Sequence, residues 1–412
     1  MSNPPPSHPD ARAGSSPREE RLFTPRFFVM CLFTFTVFLS AFQLFPTAPF
    51  RMMDLGGTTF TAGLFLGFLT YASALSAPVT GGLADRLGRR RMLLICSIAQ
   101  ILFAVGYGVS SSVEVPLVLV VFHGLFWSGL LSASSAYISD IIPPHRLAEG
   151  IGYWGMSSIL AIAAAPPLGL WIYECGWGWL CTSIAILNLL MACVAYLLPE
   201  PGRQFRPTLS LPRFRDLIEW RVLGLSGALF LYAVGHGGIT SFAAVYARAL
   251  DIHPAGLFFT VMALVIFMTR PFSGVLADRI GHRRIILPCL GLIFLGMLLL
   301  AVGSSATMLV LAAIVYGAGV GNTYPAYSAY VIQHVPEERR GAAFGSVLSA
   351  FDTGIGSGSI VTGLLIEQYG FGVAFGFAAA LAGFAIPYFL IAERKLGFAS
   401  ERGRPGGILR AG

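Results

Sequence analysis

Twelve runs of mostly apolar residues, each closed by a short polar break, fill the chain near residues 27–47, 60–80, 92–110, 116–138, 149–172, 179–198, 222–246, 256–277, 285–303, 307–331, 341–366 and 371–391. Each is close to the roughly 20 residues a helix needs to cross a hydrocarbon core. The pattern predicts an all-α membrane protein with twelve transmembrane helices. Pro46 and Pro49 close the first run, where a helix can stop without leaving backbone donors unpaired in lipid.

The pattern also occurs twice. Gly81 to Arg91 reads GGLADRLGRRR, and Gly274 to Arg284 reads GVLADRIGHRR, a constant offset of 193 residues. The same offset carries Pro143, Arg146, Gly152 and Glu174 onto Pro336, Arg339, Gly345 and Glu367. The longest polar interval, 199–220, separates six runs from six, so both halves enter and leave on one side and are parallel copies. Such a repeat places a pseudo-two-fold axis along the membrane normal and a cavity between the copies, from which alternating access follows. The predicted units are a disordered tail (1–26), an N-terminal bundle (27–198), a linker (199–220), a C-terminal bundle (221–393) and a second tail (394–412).

Composition agrees: 55% of residues are hydrophobic and 11% charged, against roughly 45–50% and about 25% in soluble domains. With both termini cytoplasmic, the basic residues gather in inside segments, around Arg86 to Arg91, Arg146, Arg203 to Arg221, Arg279 to Arg284 and Arg339, and only Arg51 and Arg248 stand in outside loops. That asymmetry follows the positive-inside rule. It assigns the net charge of +7 to topology and lipid contact, and argues against nucleic acid, which needs a continuous basic face. The first 26 residues lack the apolar core of a signal peptide. Five of the six cysteines fall in or beside spans, where packing is the expected role; Cys175 and Cys181 are an outer-side disulfide candidate.

The stretch Gly81, Asp85, Arg86, Gly88, Arg89, Arg90 closely resembles the loop 2–3 signature of the major facilitator superfamily, and Gly274, Asp278, Arg279, Gly281, Arg283, Arg284 resembles its loop 8–9 version. The resemblance runs from about Phe27 to Arg394. It implies a monomeric carrier of a small-molecule substrate, with protons and membrane lipid as partners and neither cofactor nor metal. It makes Asp85 resemble a latch that meets helix 11 of the other half and holds the cytoplasmic side shut, with Asp140 placed to relay to the arginines. Apart from the family, a glycine at 81 permits close helix approach and a carboxylate at 85 suits a helix N-terminus. Arg146 and Arg339, in matched loops with Glu149 and Glu338 nearby, are expected to form ion pairs that change partner as the halves rock.

In span 5, Ala165, Pro166, Pro167, Leu168 and Gly169 resemble the Gly-Pro-x-x-Gly signature of the superfamily's exporters, with alanine in place of the first glycine. A proline pair bends a helix, so a packing kink is the other reading. Exporters usually carry an arginine in span 4 four residues before a glycine; here Val120 precedes Gly124, which removes proton coupling by that group. His123 is either titratable or a satisfied hydrogen-bonding residue.

Among the acids only Asp352 is deep, about 18 Å from the inner end of span 11 at 1.5 Å per residue. An ionisable group there is a functional-site hypothesis by default. It binds substrate or proton, pairs with Arg270 about 12 Å from the inner surface, or faces a wet cavity passively. Its repeat counterpart is Ile159, so the duplication does not demand an acid. Gly354, Gly356 and Gly358 beside it suit close helix contact. Gln43, His236, Asn322, Tyr324 and Tyr327 are further residues expected to face the cavity, and Trp127 and Trp154 are assigned to packing. The chain therefore reads as a secondary active transporter of the cytoplasmic (inner) membrane, by proton antiport in the efflux direction, with a proton-coupled importer of a sugar or other small organic solute as the alternative. An intramembrane enzyme or sensor is disfavoured, because HExxH, GxSxG and Walker patterns are missing from the sequence.

Overall fold

The computed structural model describes residues 22–143, 146–200, 219–336 and 339–398; the side chains of 78, 85, 147, 148, 271, 273–275, 278 and 341 also stand outside the description. The predicted tails and linker therefore lie largely outside the described residues. What is described is helical: α1 Pro25–Leu44, α2 Ala48–Asp54, α3 Thr59–Leu87, α4 Arg89–Val109, α5 Glu114–Ile141, α6 Leu147–Glu174, α7 Trp177–Leu197, α8 Trp220–Leu225, α9 Gly227–Ala249, α10 Leu257–Ile280, α11 His282–Val302, α12 Ala306–Gln333, α13 Arg340–Tyr369 and α14 Phe371–Lys395. All but the short α2 and α8 are long enough to span a bilayer at 1.5 Å per residue. By length and apolarity together, 10 stretches among the described residues qualify, one of them the 54-residue stretch Ala342–Lys395 that runs from the start of α13 to the end of α14.

Two predicted spans are interrupted. The first breaks at Phe45–Thr47, where Pro46 supplies no N–H and the Thr47 hydroxyl donates to the carbonyls of Gln43 (2.8 Å) and Leu44 (3.0 Å). The seventh breaks at Ser226, because the Tyr388 hydroxyl of α14 donates to the Gly224 carbonyl at 2.9 Å, and a Cβ on Gly227 would overlap the same ring. Elsewhere helices outrun their apolar runs. α3 starts at a capping box in which Thr58 accepts from the Thr61 amide and Thr61 accepts from the Thr58 amide.

The duplication is visible residue by residue. Gly88 joins α3 to α4 with φ 91°, and Gly281 joins α10 to α11 with φ 91°. That left-handed conformation favours glycine, so the second glycine of each signature copy is a joint between two helices. The strongest helix pairings of the N-terminal bundle, α1–α6, α3–α5, α4–α7, α4–α5 and α1–α7, recur as α9–α13, α10–α12, α11–α14, α11–α12 and α9–α14.

Glycine sets the tightest packing. A Cβ on Gly358 of α13 would run into the Val234 carbonyl of α9, and one on Gly237 of α9 into the Ile355 carbonyl of α13. Gly356, on another face of α13, meets Thr70 of α3. α13 is thus clamped on one side within its own bundle and on another against the other half. Gly358→Ala is expected to lower stability by about 1–3 kcal/mol, the usual range for overpacking; thermal unfolding in detergent checks it, and an unchanged melting temperature would refute the contact. All six cysteines are free, so the Cys175–Cys181 disulfide is not formed. Cys181 is buried in the bundle while Cys175 is exposed beyond it.

Candidate functional site: the central cleft and its two ends

Between the halves run two seams related by the repeat, α3 against α13 and α6 against α10. The first is built from small residues: Cβ atoms on Gly63 and Gly67 would collide with Ser359 and Ile360. Among the described residues, three hydrogen bonds cross it, Thr59 Oγ1 to the Gly363 carbonyl (2.9 Å), the Phe60 amide to Glu367 Oε2 (3.1 Å) and Tyr71 hydroxyl with Ser357 hydroxyl (2.6 Å). On the second seam, Gly256 at the start of α10 packs against Leu170 and Pro167 of α6. Pro167 of the span-5 signature therefore lies at a contact between halves. The signature's glycine faces the other way: a Cβ on Gly169 would stand 2.8 Å from Gln43 Cα of α1. Pro166 and Pro167 remain within one continuous helix.

One turn beyond Tyr71 the first seam opens. Leu75 is 81% and Val79 63% exposed, and a Cβ on Gly81, Gly152 or Gly345 would meet open space. The halves are joined at the face opposite the two signature loops and parted toward the face that carries them. The close approach expected at Gly81 is therefore not made in this conformation. Gly274 and the carboxylates of Asp85 and Asp278 lie outside the described side chains.

At the parted, basic face the described charges pair within each half. Arg89 forms an ion pair with Asp140 and also donates to the Ala136 carbonyl at 2.6 Å. Arg90 donates to the Tyr196 carbonyl at 2.6 Å and lies over its ring; Arg86 and Arg279 are exposed. Arg146 grips Glu149 with two bonds of 2.8 Å, and Arg339 binds Glu219 at 2.5 Å. Glu338, the expected partner of Arg339, lies outside the described residues, and Glu219 takes the place because it stands just ahead of α8. Arg283 donates to both oxygens of Glu393 at 2.8 Å, and the Tyr330 hydroxyl donates to Glu393 at 2.6 Å. Sequence reasoning overlooked Glu393, although the offset of 193 that pairs Arg283 with Arg90 also pairs Glu393 with Glu200 and Tyr330 with Tyr137.

Asp352 lies five residues from Ser357, about 7.5 Å along α13, where the seam ends and the cleft begins. Its carboxylate is half-buried and makes no hydrogen bond or ion pair among the described residues. The expected pair with Arg270 is not formed: Arg270 donates to the Gly321 carbonyl at 2.6 Å, tying α10 to α12. Around Asp352 stands an aromatic group. Phe351 packs on Tyr324 (4.9 Å) and on the His236 ring (5.9 Å), and His236 Nδ1 bonds the Tyr316 hydroxyl at 2.6 Å. Tyr324 is within electrostatic reach of Asp352. Asn322 donates to the Ala318 carbonyl at 2.9 Å and to Thr269 at 3.4 Å, on the same α10–α12 contact as Arg270.

Other expected cavity residues are turned inside the bundles. Gln43 is fully buried, donating to the Leu39 carbonyl at 3.1 Å and accepting from Ser183 at 3.3 Å. Tyr327 packs against Phe389. His123 bonds the Tyr107 hydroxyl at 3.0 Å and stacks on Phe103 at 5.4 Å. With Gln100 and Asn188 it lines a cavity of about 10 Å³, roughly the space one water needs. Trp127 packs edge-on to Phe38, and Trp154 donates to Thr34 at 2.7 Å.

Two parallel six-helix bundles, joined along paired seams at one face and parted at the other, are the build of a multi-pass α-helical membrane transporter. Comparison with known proteins agrees with that class. The sequence profile of the Major Facilitator Superfamily matches residues 27–252 and 225–408, and the chain belongs to that superfamily. YhhS of Escherichia coli (strain K12), an uncharacterised MFS-type transporter, is 27% identical over 368 residues, covering 86% of this chain and 89% of its own. Its counterpart in Salmonella typhimurium (strain LT2) is 24% identical over 365 residues, 86% of this chain and 89% of that one. Among solved structures, a D-xylose–proton symporter is similar with a TM-score of 0.72 at 18% identity, over 88% of this chain and 96% of its own. A bacterial homologue of the human lysosomal transporter Spinster, inward-facing and occupied, has a TM-score of 0.70 at 18% identity, over 95% of this chain and 100% of its own. These structural likenesses concern the fold.

Proposed function

We propose that the chain carries a small organic solute out of the cell across the cytoplasmic membrane, in exchange for protons, as a monomer with both termini inside. The observation that carries this reading is Asp352: a half-buried acid where the α3–α13 seam ends, next to Phe351, which packs on Tyr324 and His236, and without an ion pair among the described residues. An intramembrane carboxylate without a partner is kept for a ligand, and a proton and a solute competing for it give exchange. The arginine-rich loops support a cytoplasmic position for the parted face, and on that reading the cleft is open inward. The Pro166–Pro167 pair, whose second proline lies at the α6–α10 seam, supports efflux through its likeness to the exporter signature.

Untargeted mass spectrometry of medium and cytosol tests it, comparing cells that express the chain with cells that express its Asp85→Asn variant. The expected result is a compound enriched outside only with the unaltered chain, while the variant inserts normally. A compound drained from the medium and enriched inside would replace efflux by import. No difference in any compound would contradict transport.

A further inference from the structure

On the alternating-access reading above, we propose that Glu367 is a latch holding the face opposite the signature loops closed. Glu367 sits in the last turn of α13, and its carboxylate accepts from the Phe60 amide, in the first turn of α3, at 3.1 Å. The first amides of a helix have no partner inside it, and they carry the positive end of the helix dipole. A carboxylate there is therefore a charged cap, and this one comes from the other half of the molecule. Glu367 is exposed, so the folding of its own bundle does not depend on it. Its bond exists only while α3 and α13 are together.

The duplication supplies a second acid in the same place. Glu174 stands 193 residues earlier in the last turn of α6. It lines an open recess with Arg248, His253, Pro254 and Ala255, beside the start of α10 at Leu257. Both seams thus end with an acid from one half beside the first turn of a helix from the other. They differ in what completes them. On the α3 side the carboxylate caps the helix directly. On the α10 side Arg248 of α9 shares the recess, with its guanidinium 3.9 Å over the Phe50 ring and 5.8 Å from that of Tyr173. The Tyr173 hydroxyl in turn donates to Asp54 at 2.6 Å. Arg248 joins the halves through aromatic faces of the N-terminal bundle, and Glu367 joins them through a helix end.

Pulsed electron paramagnetic resonance tests this with spin labels on cysteines replacing Trp179 and Val373. Both are exposed, lie in different halves and flank the closed face. The accessible native cysteines Cys31, Cys175 and Cys193 are replaced by serine. The unaltered seam should give mainly the short distance. Glu367→Ala should raise the long-distance population about two- to fivefold, the range for a carboxylate at a helix N-terminus. Glu367→Gln, which keeps an acceptor without the charge, should fall between. Gly67→Trp, a wedge in the seam, serves as the opening control. A long-distance population raised by the wedge and unchanged by Glu367→Ala overturns the latch. A distance that even the wedge leaves fixed overturns the moving halves themselves, and the latch with them.

Discussion

Asp352→Asn is expected to reduce proton-driven solute flux roughly a hundredfold or more, the scale of losing a positioned proton-transfer group, while the protein inserts and melts as before. The two effects separate because of what surrounds the side chain. The carboxylate has no hydrogen bond or ion pair among the described residues to lose, and asparagine matches its size, so stability should stay within about 0.5 kcal/mol. What disappears is the carboxylate at the inner end of the α3–α13 seam and, with it, that side chain's capacity to take up and release a proton. Reconstituted vesicles check this: with the solute on both sides, downhill exchange should survive, and accumulation driven by a pH gradient should vanish. Gradient-driven accumulation at the unaltered rate would remove Asp352 from the coupling step.

Glu393→Ala is expected to destabilise the C-terminal bundle by about 3 kcal/mol, the lower end for breaking a buried charge pair. Glu393 is 1% exposed and is held by Arg283 and Tyr330. Removing it takes the carboxylate from the Arg283 guanidinium, whose partial exposure offsets some of the loss. Glu200, its repeat counterpart, is exposed, so Glu200→Ala should change stability by less than about 0.5 kcal/mol. Thermal unfolding of both variants in the same detergent compares them directly. Equal melting temperatures would mean that the buried triad contributes nothing.

The fold was legible because two independent periodicities agree. Apolar runs of spanning length give the helices, and the offset of 193 between the two signature copies gives the parallel halves. The same offset, carried further, reaches Glu200 with Glu393 and Tyr137 with Tyr330, a pairing that a search for acids within spans overlooks because these residues lie at helix ends. Contacts made by a side chain arriving from elsewhere were not legible. The break at Ser226 depends on Tyr388 of α14, and the partner of Arg339 is Glu219, 120 residues away along the chain. Helix rotation was also hidden: Gln43 is polar and central, yet it points at Ser183 inside its own bundle. Gly81 shows the dependence on state, since whether a small residue touches a neighbour there follows from which face is open.

On the proposed function, the halves must separate at the α3–α13 seam for solute to cross. Tyr71 and Ser357, whose hydroxyls are 2.6 Å apart, mark its inner edge. Cysteines at both positions, bridged by a short reducible thiol-to-thiol crosslinker, would hold the seam shut. The expected result is that transport stops on crosslinking and returns when the bridge is reduced. Undiminished transport by fully crosslinked protein would contradict the account.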